Sequence, residues 1–395
     1  WIEGFMEYTS GIPSPEIFRR WAACSTLAGA LERRVWTLLT GSQLYPNLFI
    51  LLVGAPATGK SKAIDEILDF WSAAGRFNLA PQGMTKAAFV DQLTFKIRQF
   101  SHNGATILYN PMLVGAAEFG TLLPSYDLPF LNVLNDVYDC RKQFEDMTRG
   151  GDKRITVDRP HLNLIAGTQP KYLSEILPES AYGMGFCSRI VMVYTGNRTI
   201  VKLFKKRTKD QVLFKNLLAD LKTAASLVGE FSWTKEAQAA VEKWNEGYLD
   251  DAPTHPLLQN YNGRRIIHAI KLSMTFAAAR GNDLVVTEND FNDAKDLMLQ
   301  AESFMPEVFK EMTSKSDSVE LDQIHQFAFH YCSTHNVEIV PESKIIHFVS
   351  QRVPVNKVGY FIEALVNTGM LKVYEVDLGI GNRRFTPMQV SVFDK

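Results

Sequence analysis

The sequence has few cysteines, almost no net charge and no long apolar run. Its four cysteines lie far apart and lack the spacing of metal sites or disulfide frameworks, which favours a reducing, cytoplasmic location. A formal net charge of −1 leaves any contact with nucleic acid to local basic patches. No apolar run approaches the roughly 20 residues of a membrane span, and no signal peptide opens the chain, so we expect no membrane partner.

The sequence does contain a large apolar fraction, arranged in strand and helix patterns. With 395 residues and 46% hydrophobic composition, the chain is expected to be soluble and to form two or three domains with real cores. The boundaries we expect are residues 1–44 for a helical N-terminal segment, 45–200 for a core, 201–313 for a helical region and 319–395 for a last domain. The chain begins at Trp1 rather than at methionine, so we expect a fragment of a longer protein.

Strands alternate with helices in the core, which predicts an α/β fold with a mostly parallel sheet. The predicted core strands are residues 48–53, 105–109, 112–117, 162–167 and 190–194. The predicted helices of the first three parts are residues 15–34, 62–71, 85–100, 129–138, 264–280 and 288–304, the last with Thr287 as its N-cap. Residues 143–157 read as a hairpin, and the basic stretch 197–210 reads as a solvated linker.

The most specific motif is G-x-x-x-x-G-K-[ST], directly after the strand at 48–53 and before the helix at 62–71. Backbone N–H groups of such a loop point at phosphates, its lysine reaches the β- and γ-phosphates, and its hydroxyl binds Mg²⁺. The following helix N-terminus favours the anion. The sequence therefore predicts a site for ATP and Mg²⁺ formed by Gly54, Ala57, Thr58, Gly59, Lys60 and Ser61.

Hydrolysis further requires an activated water and a stabilising cation at the γ-phosphate. Glu118 ends an apolar strand where the second acid of a Walker B element stands, so it is the candidate to activate water and to contact Mg²⁺, directly or through water. Ala117 replaces the usual preceding aspartate, which leaves Mg²⁺ to Ser61, phosphates, water and Glu118. The alternative is that Glu118 only caps the next helix. Gln169 closes the next strand, where it is placed to orient the attacking water.

Two arginines are candidates for the cation. Arg189 comes just before the strand at 190–194 and is either a surface charge or an arginine finger that acts on a neighbouring subunit. Arg264 opens the helix at 264–280, with Lys271 seven residues later, and either reaches a phosphate or is an exposed helix charge.

The last domain follows a polar linker at residues 314–318. Its pattern predicts helices near 321–335, 341–349 and 355–368, then two strands at 371–376 and 383–387. Three helices and a hairpin in this order are typical of a winged helix. Its third helix offers Asn356, Lys357 and Tyr360 to DNA, and its wing offers Arg383 and Arg384. Docking of a protein instead of DNA stays open.

Residues 54–61, Glu118, Gln169, Arg189 and Arg264 follow the order of Walker A, Walker B, sensor 1, arginine finger and sensor 2 in the AAA+ ATPases. Over roughly residues 10–310, the chain most resembles the replicative helicases of phages and mobile elements, with similarity to the minichromosome maintenance helicases. The resemblance implies a P-loop NTPase (AAA+-like) core with a helical N-terminal collar and a helical lid. It also implies a homo-oligomeric ring, most often a hexamer, with ATP sites between subunits.

The resemblance implies a place for DNA as well. Helicases of this type carry a channel hairpin just before the sensor 1 strand, and here residues 143–157 hold that position, with Arg149, Lys153 and Arg154 near the tip. Cations on a glycine-rich turn suit contact with phosphates on any base sequence. A solvated turn is the alternative.

The function that we expect is an ATP-dependent DNA translocase: a ring-forming replicative helicase of a phage or mobile element, working in the bacterial host cytoplasm on a single strand in its channel. Two other functions stay open. One is a non-helicase AAA+ motor or loader that uses the same site. The other is a nucleotide-gated, DNA-binding replication initiator that hardly hydrolyses ATP.

Overall fold

The computed structural model describes residues 1–147, 154–177, 185–202, 204, 207, 209–352, 358–375 and 383–388, without the side chains of residues 313–316 and 375. The chain divides into two compact units, Trp1–Phe309 and Lys310–Lys395. Helices, strands and a largely parallel central sheet confirm the expected α/β class. Among the described helices, none has the length and apolar character needed to cross a membrane.

The described helices are numbered in chain order. They are α1 (Ile2–Tyr8), α2 (Glu16–Leu31), α3 (Lys60–Ala74), α4 (Lys86–Phe95), α5 (Phe119–Leu122), α6 (Leu128–Tyr138), α7 (Pro170–Ile176), α8 (Phe186–Arg189), α9 (Gln211–Ala224), α10 (Lys235–Glu246), α11 (Gln259–Asn262), α12 (Arg265–Arg280), α13 (Glu288–Glu302), α14 (Met305–His335), α15 (Glu342–Ser350) and α16 (Val358–Asn367). Short 3-10 turns cover Glu32–Arg34 and Pro256–Leu258.

The described strands are numbered in the same way. They are β1 (Val35–Leu39), β2 (Ser42–Leu44), β3 (Phe49–Val53), β4 (Arg98–His102), β5 (Ala105–Ala116), β6 (Gln143–Met147), β7 (Arg154–Asp158), β8 (Pro160–Thr168), β9 (Val191–Tyr194), β10 (Gly229–Glu230), β11 (Ser232–Trp233), β12 (Val285–Val286), β13 (Val340–Pro341), β14 (Leu371–Glu375) and β15 (Arg384–Pro387).

A five-stranded sheet with the order β4-β5-β8-β3-β9 lies at the centre of the first unit. β5, β8, β3 and β9 are parallel, and β4 joins β5 antiparallel at one end. β3 is buried throughout and pairs on both sides, with Leu51 opposite Ala166 and Met192. Because these four strands are parallel, the residues that follow them lie at one edge of the sheet, the carboxyl edge. The residues that precede them lie at the opposite, amino edge.

The N-terminal segment is only partly helical, which corrects the expectation for residues 1–44. It contains α1 and α2 but ends in β1 and β2, which pair antiparallel. β1 also pairs in parallel with β10, and the Thr37 hydroxyl donates to the Phe231 carbonyl oxygen over 3.2 Å. At the chain start, the Trp1 amino group donates to the carbonyl of Ala279 over 3.0 Å. β10, Phe231 and Ala279 lie far along the chain from their N-terminal partners, so the sequence of residues 1–44 alone does not indicate these contacts.

Two predictions at the β4 end of the sheet were wrong. The helix expected at residues 85–100 ends at Phe95, and β4 begins at Arg98. Pairing with β5 overrides the helical pattern, and Phe100 packs on Tyr109 with ring centroids 5.6 Å apart. The two segments expected at 105–109 and 112–117 form the single strand β5.

The basic stretch at residues 197–210 is more than a solvated linker. The Arg207 guanidinium donates to the Glu66 carboxylate on α3 and to the Tyr8 carbonyl at 2.9 Å, while lying over the Tyr8 ring. Lys209 pairs with Asp69 of α3 at 2.8 Å. This stretch therefore ties α1 to the helix that follows the 54–61 loop.

The described part of the Lys310–Lys395 unit contains α14 from Lys310 onward, α15, α16 and a sheet with the order β13-β15-β14. Its core is apolar and includes Ile324, Phe361 and Phe385. The buried Glu342 carboxylate accepts two bonds from the Arg383 guanidinium, at 3.0 and 2.6 Å, so Arg383 holds this unit together. Asn356 and Lys357 lie outside the described residues.

The linker expected at residues 314–318 is instead part of α14. This segment contains serine, aspartate and lysine but neither glycine nor proline, the two residues that oppose helix strongly. The boundary between the two units falls within the same helix, after Phe309.

Glu32 is a buried charge at the end of α2. Its side chain is 0% exposed, and its carboxylate accepts hydrogen bonds from Arg98 of β4 and from the Tyr109 hydroxyl of β5. The Arg34 guanidinium lies 3.5 Å away. This carboxylate therefore joins the N-terminal segment to the β4–β5 hairpin.

We expect Glu32→Ala to lower the free energy of unfolding by about 3–5 kcal/mol, because it leaves the buried Arg34 and the partly buried Arg98 without the carboxylate that balances their charge. Urea denaturation measures the change. The control is Glu16→Ala on α2, whose exposed ion pair with Arg20 should contribute less than about 1 kcal/mol. If the two substitutions lower the free energy of unfolding equally, Glu32 does not join the N-terminal segment to the β4–β5 hairpin as described.

Candidate functional site

The loop of residues 54–61 leaves β3 at the carboxyl edge and runs into α3. The Gly54 N–H donates to the Thr168 carbonyl at 3.2 Å, which fixes the start of the loop to β8. Gly59 has a φ of +89° and lies against the chain before α2, where a Cβ would come within 1.9 Å of the Pro13 carbonyl oxygen. A glycine is thus required at this position both for the backbone angle and for the close approach.

Lys60 lies across this loop. It is 5% exposed, and its ammonium donates to the carbonyls of Gly54 at 2.7 Å and Ala55 at 2.9 Å. Among the described residues, no carboxylate forms an ion pair with it. Burial lowers the pKa of Lys60, and the negative charge of Glu118 opposes this shift. A buried cation held only by neutral oxygens is suited to exchange one of them for an anionic oxygen such as a phosphate's.

Glu118 follows β5 by two residues and stands at the N-cap position of α5. Its side chain makes no cap hydrogen bond, so it does not perform the capping that was the alternative role. Burial raises the pKa of Glu118, and the positive charge of Lys60 lowers it. The two groups thus interact electrostatically beside the loop.

Gln169 follows β8 directly and precedes α7, again without a side-chain cap bond. Since Thr168 lies opposite Val53, Gln169 and Gly54 occupy neighbouring positions at the carboxyl edge. The candidate residues of the loop, Glu118 and Gln169 are therefore brought to one edge of the sheet. Ser61 opens α3 beside them and is exposed.

The sequence did not indicate three further residues at this edge. A Cβ at Gly167 would lie 2.5 Å from the Ala117 carbonyl oxygen and 3.3 Å from Lys60 Cβ, so a side chain there would separate these strands. The Arg198 guanidinium donates to the Ala57 carbonyl at 3.4 Å. Ser14 has a buried hydroxyl without a hydrogen-bond partner in the described part of the chain, next to Gly59.

Arg189 and Arg264 lie at the amino edge instead. Arg189 ends α8, just before β9, and donates to both carboxylate oxygens of Asp139, at 3.2 and 2.7 Å. The Arg264 guanidinium is 3.5 Å from the same carboxylate. Two guanidinium groups share one carboxylate, so the cluster retains one positive charge. We call Arg189, Asp139 and Arg264 the arginine cluster.

The two edges are well separated. β9 alone, from Val191 to Tyr194, spans about 10 Å at roughly 3.3 Å per residue. Neither Arg189 nor Arg264 therefore reaches the 54–61 loop of its own chain. A role of Arg264 from the lid on the nucleotide of the same chain is not supported, because α12 packs at the amino edge. Action of either arginine on another subunit stays a prediction.

Helix α12 contributes two buried polar residues beside the arginine cluster. His268 Nε2 is 2.9 Å from the Ser188 carbonyl oxygen, and Lys271 donates to the Asn47 side-chain oxygen over 2.7 Å. Burial lowers the pKa of His268 to about 3 and that of Lys271 to about 8. His268 is therefore neutral at pH 7.

The expected hairpin at residues 143–157 is present in its described strands. β6 and β7 pair antiparallel, from Gln143 opposite Asp158 to Met147 opposite Arg154. β7 leads into the start of β8, so the base of the hairpin is at the amino edge. Arg154 forms an ion pair with Glu145 at 2.6 Å and stays 68% exposed. Arg149 and Lys153 lie outside the described residues.

Comparison with known proteins adds no relative. No family model matches the chain, and no curated protein matches its sequence. Functional inference therefore rests on the motif, the placement of the residues and the chemistry that they permit.

The two glycines that flank α3 provide a test of the loop geometry. Gly59 and Gly75 both have a positive φ, of +89° and +70°, but nothing lies within 4 Å of a Cβ built at Gly75. We expect Gly75→Ala to cost about 1 kcal/mol of stability from backbone strain alone. Gly59→Ala should cost a further 1–3 kcal/mol or so, because Pro13 must move. Chemical denaturation measures both, and equal losses would contradict the close packing of the loop.

Proposed function

We propose that this protein is an ATP-dependent DNA translocase, a ring-forming replicative helicase of a phage or mobile element. The observation that carries the proposal is the 54–61 loop at the carboxyl edge, with Lys60 buried in it and Glu118 beside it. A strand, this loop and a helix in succession are the arrangement in which such a motif binds phosphates.

The proposal includes the finer fold assignment. The first unit would be a P-loop NTPase (AAA+-like) core with its N-terminal helices as a collar and residues 201–313 as a lid. The last unit would be a winged helix, for which the element order α14, β13, α15, α16, β14, β15 and the sheet order are the support. Exposed Tyr360 on α16 is the described residue best placed for DNA there, while docking of a protein remains the alternative.

The residues at the carboxyl edge fit Mg²⁺ and a triphosphate. Gly59 allows the positive φ at which the loop turns into α3, and Lys60 would exchange a loop carbonyl for a phosphate oxygen. Ser61, exposed at the start of α3, would hold Mg²⁺, with Glu118 contacting it directly or through water. Glu118 would accept a proton from water, and Gln169 would orient that water. Bound ATP supplies the phosphoanhydride whose cleavage drives movement.

The cation for this chemistry would come from a second copy of the chain. Arg189 and Arg264 are at the amino edge, so a complete site needs the arginine cluster of a neighbouring subunit. A homo-oligomeric ring, most simply a hexamer, supplies one such neighbour to every subunit. The hairpin of residues 143–157 would then contact single-stranded DNA through Arg149, Lys153 and Arg154.

A second candidate function has one observation in its favour. Ala117 lies where a metal-binding aspartate is usual, and its carbonyl is close to Gly167. A chain that binds Mg²⁺ weakly would bind nucleotide and hydrolyse it slowly, as a nucleotide-gated, DNA-binding initiator does. ATP turnover stimulated by single-stranded DNA distinguishes a motor from this initiator, and strand displacement distinguishes a helicase from a loader.

The nucleotide site can be tested with three variants. We expect Lys60→Ala to lower ATP turnover by about 100-fold or more, because it removes a donor at the transferred phosphoryl group. Glu118→Gln should keep nucleotide affinity and lose hydrolysis. The control is Lys62→Ala, two residues further along α3 and paired with Asp65 at the surface, which should turn over ATP like the wild type.

Binding of a fluorescent ATP analogue and release of phosphate are measured separately for each variant. Hydrolysis at the wild-type rate in Glu118→Gln would remove Glu118 from the catalytic residues. Loss of binding in Lys62→Ala equal to that in Lys60→Ala would show that charge near the loop, and not the position of Lys60, is what matters.

The hairpin can be tested by changing Arg149, Lys153 and Arg154 together to alanine. Affinity for single-stranded DNA should fall alike on any sequence, and the slope of log affinity against log salt should flatten by about 0.7 for each phosphate that the variant no longer binds. A matched control changes three exposed lysines on α9 and α10, Lys215, Lys222 and Lys235. The hairpin is excluded as the DNA site if both triple variants bind with the same affinity and salt slope.

A further inference from the structure

We propose that His268 positions Arg189, and that α12 holds the arginine cluster in one rigid arrangement in which a neighbouring subunit can contact it. The second half of this inference rests on the proposed function, since it needs a neighbour. The first half concerns one chain and stands on the contacts of α12 alone.

One face of α12 carries the polar residues involved. Arg264 at its N-cap, His268 and Lys271 are spaced i, i+4 and i+7, which places them on the same side of the helix. Arg264 contacts Asp139, His268 contacts Ser188, and Lys271 contacts Asn47. A single helix face therefore contacts three separate segments at the amino edge.

His268 is bonded to both segments that carry the ion pair. Its Nε2 must carry the proton, because the Ser188 carbonyl oxygen 2.9 Å away can only accept. Its Nδ1 is then an acceptor for the Tyr138 hydroxyl at 3.4 Å. Ser188 directly precedes Arg189, and Tyr138 directly precedes Asp139. His268 thus sets the spacing between the two residues of the bidentate pair.

The ring of His268 is itself held in place. Tyr261 stacks on it with ring centroids 5.5 Å apart and an interplanar angle of 18°. His268 is 2% exposed, so water does not compete for its two hydrogen bonds. Replacing it removes the link between Ser188 and Tyr138 without touching Arg189 or Asp139.

Lys271 extends this arrangement to the strand that leads into the 54–61 loop. Its ammonium lies 3.9 Å from the centre of the Tyr138 ring and donates to Asn47, the residue two before β3. The Asn47 amide in turn donates to the Tyr138 carbonyl at 3.0 Å. Lys271 therefore ties α12 and Tyr138, the residue before Asp139, to the chain just before β3.

The first measurement follows Arg189 itself, independently of ATP. In the wild type its side chain is 12% exposed and its guanidinium is bonded to Asp139 and Gly185, so phenylglyoxal should modify it slowly. Mass spectrometry of digests should show at least about fivefold faster modification of Arg189 in His268→Leu. His268→Gln should restore protection in part, because its amide can donate to Ser188.

The control is Ser273→Ala, buried on the same helix, whose hydroxyl has the Ala269 carbonyl at 2.7 Å, within α12, as its one acceptor among the described residues. It should leave the Arg189 modification rate unchanged. Wild-type protection of Arg189 in His268→Leu, or equal loss of protection in Ser273→Ala, overturns the positioning role whether or not the protein hydrolyses ATP.

The second measurement uses ATP turnover. His268→Leu should lower kcat by about 10- to 100-fold, since misplacing a catalytic group by about 1 Å has that scale of effect, with KM nearly unchanged. In an Arg189→Ala background the same substitution should cause no further loss. An additional loss there would show a general structural defect and would overturn the inference.

Mixed rings distinguish failure of the inference from failure of the proposed function. Activity that falls more steeply than the fraction of Arg189→Ala subunits supports action across an interface, and His268→Leu should then give the same curvature. If activity falls in proportion to the fraction of Arg189→Ala subunits, the ATP site is not shared between subunits, and the arginine cluster does not act on a neighbour. Steep loss with Arg189→Ala but proportional loss with His268→Leu refutes the inference alone.

Discussion

In-register parallel pairing of β3 with β8 and β9 is the constraint on which the rest of the first unit depends. It buries every residue of β3 and sets Val53 opposite both Thr168 and Tyr194. Strand direction then decides which residues meet. Side chains that follow the strands gather around the 54–61 loop, and those that precede them gather around Asp139. The separation of two chemical regions on one sheet is thus a result of backbone topology, not of sequence proximity.

The charged groups of the two regions have different kinds of partners. At the carboxyl edge, Lys60 is satisfied by carbonyls of its own loop, which leaves it able to change partners. At the amino edge, Asp139 accepts from or pairs with two arginines, and the neighbouring Lys271 contacts both Asn47 and the Tyr138 ring. Lys60 is thus held only by neutral oxygens, whereas Asp139 and Lys271 are each fixed by several groups.

Local patterns in the sequence predicted a large part of this structure. The buried strand before residues 54–61, the helix after them and the N-cap role of Thr287 all depend on residues close together in the chain. The candidate residues at the carboxyl edge could also be predicted, because they come just after strands that the local sequence indicates. That Glu118 does not cap α5 through its side chain required coordinates, because an acid before a helix is compatible with both roles.

The features that the sequence did not indicate depend on distant partners. β1 pairs with β10, β4 contacts Glu32 and β5, and Arg264 contacts Asp139, all far away in the chain. Gly167 does not lie in a turn. A glycine is required there because β5 and β8 are paired, which brings the Ala117 carbonyl oxygen close to this position. Residues 314–318 have a linker-like composition but no residue that breaks a helix, so composition alone could not decide their structure.

The contact between the Trp1 amino group and the Ala279 carbonyl has a consequence for synthesis on the ribosome. Translation delivers about 5–20 residues per second, so roughly 14 to 56 seconds pass before the partner of Trp1 exists. The hydrogen bond from Arg207 to the Tyr8 carbonyl and the pairing of β1 with β10 likewise form only after the later segments have been made. During this interval the N-terminal helices lack these late partners, although α3, on which α2 packs, is made early. Late closure of this kind leaves part of their apolar surface exposed to aggregation and to chaperones until α12 has been made.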